Sequence, residues 1–194
     1  MMDSLSVVAI ILAAGQSRRM GPVNKLLMEI EGVPMVERVL LAIREGGVDD
    51  IYVVTGFERE RIESCLGDES LNFVFNESYE EGMGSSLAKG AQAIESEAAA
   101  GILVCLGDLP YLGGGTVREL LDEFKKRGGE RIVLPSYMGQ SGHPIIFPIA
   151  YRESLGSLNG DVGAKALIRR ERKNVVELEV GDESVIRDLD TNNA

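Results

Sequence analysis

Val7-Val-Ala-Ile-Ile-Leu12 runs directly into Ala13-Ala-Gly-Gln-Ser-Arg-Arg-Met-Gly-Pro-Val-Asn-Lys25. Six apolar residues in a row leave no position for a wetted face, so they read as a parallel strand covered on both sides. The loop behind it carries glycine at both ends, Gly15 and Gly21, with Arg18 and Arg19 between them and Lys25 just beyond.

Outward from this strand the chain alternates. Apolar positions 36, 39, 40 and 43 make one helical stripe. Ile51-Tyr-Val-Val-Thr55 is a second β-rich run. Residues 58 to 66 suit a short helix, and Leu71 to Phe75 a third strand. Leu87, Ala91, Ile94 and Ala98 mark one side of a further helix. Ile102-Leu-Val-Cys-Leu106 is again apolar throughout. Thr116 and Glu119 form a capping-box pattern. Residues 131–134 and 144–147 predict two more strands. Asp161 is placed to cap a helix reaching about Arg170, and 175–180 predicts an edge strand. Alternating β and α elements predict a three-layer α/β/α sandwich around a mostly parallel sheet. Ligands of such sheets bind beyond the carboxyl ends of the strands.

Bulk properties narrow the partners. With 194 residues, 44% hydrophobic and 26% charged, the chain suits one globular domain. Its formal charge of −11 is opposite to that of a broad nucleic-acid face, so no nucleic-acid partner is expected. No stretch is long enough to span a bilayer, and the start lacks a secretory pattern, which predicts a cytoplasmic protein with no membrane partner. One histidine excludes a multi-histidine metal site, and two distant cysteines, Cys65 and Cys105, lack metal-ligand spacing.

Several segments carry chemistry. Backbone N–H groups between Gly15 and Gly21 suit an anion nest, and arginine and lysine grip phosphate oxygens. On charge alone the loop is equally a solvated basic turn. Asp108, directly after the strand ending at Leu106, supplies a carboxylate of the kind magnesium uses to bridge phosphates, or simply caps a turn before Pro110. In Gly82-Met-Gly-Ser-Ser86 the glycines permit close approach to a ligand, while Ser85 and Ser86 are also good helix caps. Asp188 and Asp190 point the same way if extended, or form an acidic tail. His143 beside Pro144 and Asp161 before Lys165 each have a plain structural reading. Together, bases, an acid and glycines at strand ends are what a triphosphate site requires.

Leu12-Ala-Ala-Gly-x-Ser-Arg-Arg-Met-Gly-x-x-Asn-Lys25 resembles the signature of nucleotidyltransferases that build NDP-sugars and related conjugates. Gly82-Met-Gly-Ser-Ser-Leu87, Gly107-Asp-Leu-Pro110, Gly142-His-Pro144, Gly160-Asp-Val-Gly-Ala-Lys165 and Asp188-Leu-Asp-Thr191 follow in the order seen in molybdenum cofactor cytidylyltransferases. The resemblance implies one Rossmann-like domain of the nucleotidyltransferase type over residues 1–194. It implies Mg2+ as cofactor, held by Asp108 and Asp190, and Arg19 and Lys25 on the triphosphate, with Arg18 a solvated neighbour. Arg19, Lys25 and Asp108 would be catalytic. Leu12, Ala13, Ala14 and Gly15 would contact the base, joined by Gly82, Ser85 and Ser86 in binding the nucleotide. Leu-Ala-Ala-Gly is similar to the cytosine-type form, so CTP is favoured over other NTPs, with a phosphorylated acceptor such as molybdopterin and a molybdoenzyme as recipient. Leu109 stands where relatives often have Gln or Met, and Lys165 where many have Arg. Rival readings are a sugar-phosphate or methylerythritol-phosphate nucleotidyltransferase, and a nucleotide- or pterin-binding cofactor chaperone without catalysis.

Overall fold

The computed structural model describes residues 5–16, 24–67, 69–161 and 163–187. In chain order the strands and helices are β1 (Ser6–Ala13), β2 (Glu29–Ile30), β3 (Val33–Pro34), α1 (Met35–Gly46), β4 (Ile51–Thr55), α2 (Arg59–Leu66), β5 (Asn72–Phe75), α3 (Met83–Ala93), β6 (Ala99–Leu106), α4 (Gly114–Lys126), β7 (Ile132–Tyr137), β8 (Gln140–Ser141), β9 (Ile145–Pro148), α5 (Arg152–Gly156), α6 (Lys165–Arg170) and β10 (Val175–Glu179).

Strand β1 lies in the interior of the main sheet, whose order is β10-β7-β9-β6-β1-β4-β5, with β8 paired to β7 off this path. It runs parallel to both neighbours, β4 and β6. Its alternate residues feed two separate cores. Val7, Ala9 and Ile11 pack with Val36 and Val39 of α1, Ile62 of α2 and Leu120 of α4. Val8 and Ile10 pack with Leu87 of α3, Leu155 of α5 and Leu167 of α6. Helices therefore cover both faces, and a continuous apolar run is what such a strand needs. Each fully buried aliphatic side chain here contributes about 1.5–3 kcal/mol of burial. The sheet is mostly parallel, as predicted. Strands β9 and β8 are the exceptions, β9 running antiparallel to β6 and β7 and β8 antiparallel to β7.

Four local expectations change. Helix α4 begins at Gly114 with Gly113 as its cap, so Thr116 sits inside the first turn rather than capping it. Its hydroxyl donates instead to Asp182 Oδ2 at 2.9 Å, tying α4 to the chain after β10. Asp161 caps no helix, because α6 starts at Lys165 with Ala164 as cap. Helix α3 ends at Ala93, leaving Ala98 beyond it. Ser85 and Ser86 lie within α3, whose cap is Gly82. Two hairpins carried little apolar signal. The β2–β3 turn is Glu31-Gly32 and the β7–β8 turn is Met138-Gly139, all four residues with positive φ. Two-residue hairpin turns favour that geometry because it matches strand twist.

Candidate active site

The register of the central strands sets the site. Leu12 of β1 pairs with Leu106 of β6, and Ala13 pairs with Thr55 of β4. The three chains leave the sheet side by side. Gly107 N–H donates to Leu12 O at 3.0 Å, locking the first turn after β6 to the end of β1. A Cβ on Gly107 would sit 3.0 Å from that same oxygen, so glycine keeps the approach close.

A cavity of about 350 Å³ opens above these ends. That is within the usual range for a small-molecule site. Leu12, Ala14, Gly15, Lys25, Gly82, Ser86 and Asp108 line it, as does Asp161. Ala13 does not line it; its side chain belongs to the core under α1. Ser85 does not line it either. Its Oγ accepts from Asn76 Nδ2 at 3.0 Å and lies 2.8 Å from Gly82 O, bracing the loop before α3. Arg18, Arg19 and Asp190 lie outside the described residues.

Lys25 reaches the cavity from a short 3-10 turn, Lys25–Leu27. Asn24 caps that turn, its Oδ1 accepting from Leu26 N–H at 3.1 Å. Buried Leu26 pins the turn to the core. The Lys25 Nζ then stands 2.6 Å from Asp108 Oδ2, both side chains mostly enclosed. Arg38 of α1 ties the two supports together. Its Nε donates to Pro110 O at 2.9 Å and its Nη1 to Ile30 O at 3.0 Å.

The glycines of Gly82-Met-Gly84 serve a purpose other than the expected one. A Cβ on Gly84 would lie 2.6 Å from Asn159 O, and one on Gly82 would meet Gly160 and the Asp161 carboxylate. Gly84 N–H donates to Gly160 O at 2.7 Å. The close approach is to the loop 159–161, which brings Asp161 to the cavity wall. Gly82 also adopts φ 116, a conformation that side chains oppose.

Sequence reasoning did not single out Gln16, Leu26, Tyr79, Glu80, Met83 or Leu106, which also line the cavity. Gln16 Nε2 donates to Glu80 Oε1 at 2.7 Å, closing one side. Gly56 held a signal for Tyr79: a Cβ there would lie 2.6 Å from the Tyr79 Cβ. Cys105 is buried, and burial pushes its thiol well above the ordinary range, so it is no nucleophile. His143 is structural at its backbone, where its N–H donates to Val185 O at 2.8 Å.

Oxygen donors suit a hard divalent ion, and magnesium takes only one or two carboxylates plus substrate phosphates. Among the described residues no three His, Cys, Asp or Glu side chains cluster as a ready metal cage. The enclosed Asp108 carboxylate fits a hard divalent cation.

An α/β/α sandwich with an acid, a lysine and glycine turns beyond its central strands defines a nucleotidyltransferase. Residues 9–175 match the MobA-like NTP transferase domain, and the chain belongs to that family. It is 31% identical to nicotine blue oxidoreductase of Paenarthrobacter nicotinovorans, over 97% of this chain and 94% of that protein. It is 30% identical to the bifunctional protein GlmU of Syntrophomonas wolfei over 67% of this chain, which spans only 28% of GlmU. Rv0371c of Mycobacterium tuberculosis H37Rv superposes with a TM-score of 0.80 at 26% identity, covering 91% of this chain and 89% of that one. A second structure of Rv0371c is a complex with manganese, TM-score 0.75 at 24% identity, covering 90% and 88%. No helix among the described residues is long and apolar enough to cross a membrane.

Proposed function

We propose that this single-domain, cytoplasmic enzyme transfers CMP from CTP to a phosphorylated acceptor, molybdopterin or its molybdenum form, with release of pyrophosphate. The observation that carries the reading is the Lys25–Asp108 pair at the floor of a cavity beyond β1 and β6. An oxygen of the acceptor phosphate attacks the α-phosphorus of CTP. A new P–O bond forms, the α–β bridge breaks, and pyrophosphate leaves with the electron pair. A phosphate monoester is already anionic, so the reaction needs positioning and charge stabilisation more than a general base.

Lys25 neutralises charge on the departing pyrophosphate, a role the family signature also gives to Arg19. Asp108 and Asp190 hold magnesium, which when bound supplies Lewis-acid stabilisation of the phosphates. Among the described residues the cavity wall has one lysine against Glu80, Asp108 and Asp161. That acidity favours a triphosphate accompanied by a metal over a bare one. Leu12, Ala14 and Gly15 offer backbone and small side chains to the base, and the Leu-Ala-Ala-Gly form supports cytosine.

The likeness to a protein named nicotine blue oxidoreductase favours a second reading, in which the cavity holds a reducing nucleotide. One set of assays separates them. The purified protein with magnesium and each NTP in turn, given molybdopterin, is followed for pyrophosphate; in parallel, with a quinonoid dye as electron acceptor, it is followed for loss of NADH or NADPH absorbance. Pyrophosphate release with CTP supports transfer. Nucleotide oxidation without pyrophosphate supports reduction.

A further inference from the structure

The turn that carries Asp108 continues to Tyr111, and the chain beyond β10 comes back to meet it. Arg187 Cζ lies 4.9 Å from the centre of the Tyr111 ring, within cation–π range. Leu109 of the same turn lines one hollow with Val185 and Ile186. The returning chain is fastened at two further points. Asp182 Oδ2 accepts from the Thr116 hydroxyl of α4 at 2.9 Å. Val185 O accepts from His143 N–H at 2.8 Å, and a Cβ on neighbouring Gly142 would run into that same oxygen. Glu183 steadies the arginine from its own segment, with Arg187 Nη1 donating to Oε1 at 3.1 Å. Tyr111 is 42% exposed and the Arg187 side chain 58%, so the stack is no part of the core.

The spacing is the same on both sides. Tyr111 stands three residues after Asp108, and Arg187 three residues before Asp190. Asp190 lies outside the described residues, so its tether is read from the sequence. Three residues of chain span at most about 11 Å. The stack therefore joins, by two short tethers, the two carboxylates assigned to the metal. A cation that takes both needs them in one place, and a loose tether must be ordered at a cost in affinity.

Resting on the transferase reading and its two metal ligands, we propose that Tyr111 and Arg187 are positioning residues. They clasp the Asp108 turn to the C-terminal segment and so preset the spacing of the two carboxylates for a divalent cation. Neither is itself a ligand. The guanidinium uses the ring face, so the Tyr111 hydroxyl is dispensable. One exposed cation–π stack changes an equilibrium about fivefold.

The test is Mn2+ titration of the nucleotide-free full chain, followed by electron paramagnetic resonance. The Lys25→Ala background, which lacks the competing amine, strengthens the signal. Tyr111→Leu and Arg187→Gln should each weaken Mn2+ binding about fivefold, and the double variant no more than either alone. Tyr111→Phe should bind Mn2+ as the parent does, and Arg187→Lys should recover part of the loss. Melting temperatures should stay within about 4 °C of the parent, because the stack is exposed. Unchanged Mn2+ affinity in Tyr111→Leu, or an equal loss in Tyr111→Phe, would overturn the clasp. Asp108→Ala and Asp190→Ala report on the reading beneath it. If either leaves Mn2+ binding unmoved, the two-carboxylate assignment fails and the clasp with it. Weakening by both, with Tyr111→Leu unchanged, sinks the clasp alone.

Discussion

Lys25 Nζ sits 2.6 Å from Asp108 Oδ2, joining a residue from the turn after the glycine loop to one from the turn after β6. The pair links the two groups assigned to the triphosphate and to the metal. A cation at the carboxylate competes with a metal ion for it. Metal binding should therefore be weak without nucleotide and strengthen once the phosphates draw Lys25 away.

Lys25→Ala makes this measurable. Removing the amine leaves an enclosed carboxylate uncompensated, so Mn2+ titration followed by electron paramagnetic resonance should show tighter metal binding to the nucleotide-free variant than to the wild type. Pyrophosphate release should fall on the order of 10²–10³-fold. Weaker or equal Mn2+ binding would contradict the competition.

Two glycines should separate cleanly. Gly15 lines the cavity and a Cβ on it meets nothing within 4 Å, so Gly15→Ala should keep its melting temperature and lose CTP affinity. Gly82→Ala must carry a side chain at φ 116 against Gly160 and Asp161. It should lose about 1–3 kcal/mol of stability in denaturant titration. Equal stabilities would show that the packing of the 159–161 loop is not as described.

Much of this was legible beforehand, for a physical reason. Val7 to Leu12 read as a doubly covered strand, because a short, β-branched apolar run bounded by a glycine loop suits a strand better than a buried helix. Asp108 followed from its place after a similar run. What stayed hidden depends on tertiary packing. The alternation of Ala13 and Ala14 puts one in the core and the other at the cavity, and the motif alone does not say which. Gly82 and Gly84 signalled a close approach, but only the fold shows that loop 159–161 makes it. Tyr79, Gln16 and Glu80 have no local pattern, since they meet only when β5 and β1 end at the same edge. The capping signals at Thr116 and Asp161 misled because Gly113 and Ala164 cap the helices, freeing Thr116 to bond Asp182.

Arg38 should act as a positioning residue. It donates to Ile30 O and Pro110 O, holding the segments that lead to Lys25 and Asp108. Arg38→Met keeps the stem but drops both bonds and the exposed pair with Glu31 Oε2, costing about 1–2 kcal/mol of stability. The turnover number should fall while the KM for CTP changes little, measured by steady-state kinetics. A change confined to KM would argue against this role.

His143 should make stability pH-dependent. Burial lowers its pKa from 6.5 to about 4. Above 6.5 the ring is neutral in both states and its contribution is fully present. As pH falls from 6.5 towards 4, the unfolded chain takes up the proton first, so stability is progressively lost; below 4 the loss levels off. The full span amounts to roughly 3 kcal/mol. Urea midpoints at pH 7 and pH 4.5 should differ more for the wild type than for His143→Gln.

The most direct measurement is pyrophosphate release with CTP, magnesium and molybdopterin by the wild type, Lys25→Ala and Asp108→Ala, each checked for an intact fold by circular dichroism. The account predicts release by the wild type and a loss on the order of 10²-fold or more in both variants. Near wild-type rates in the two folded variants would contradict it.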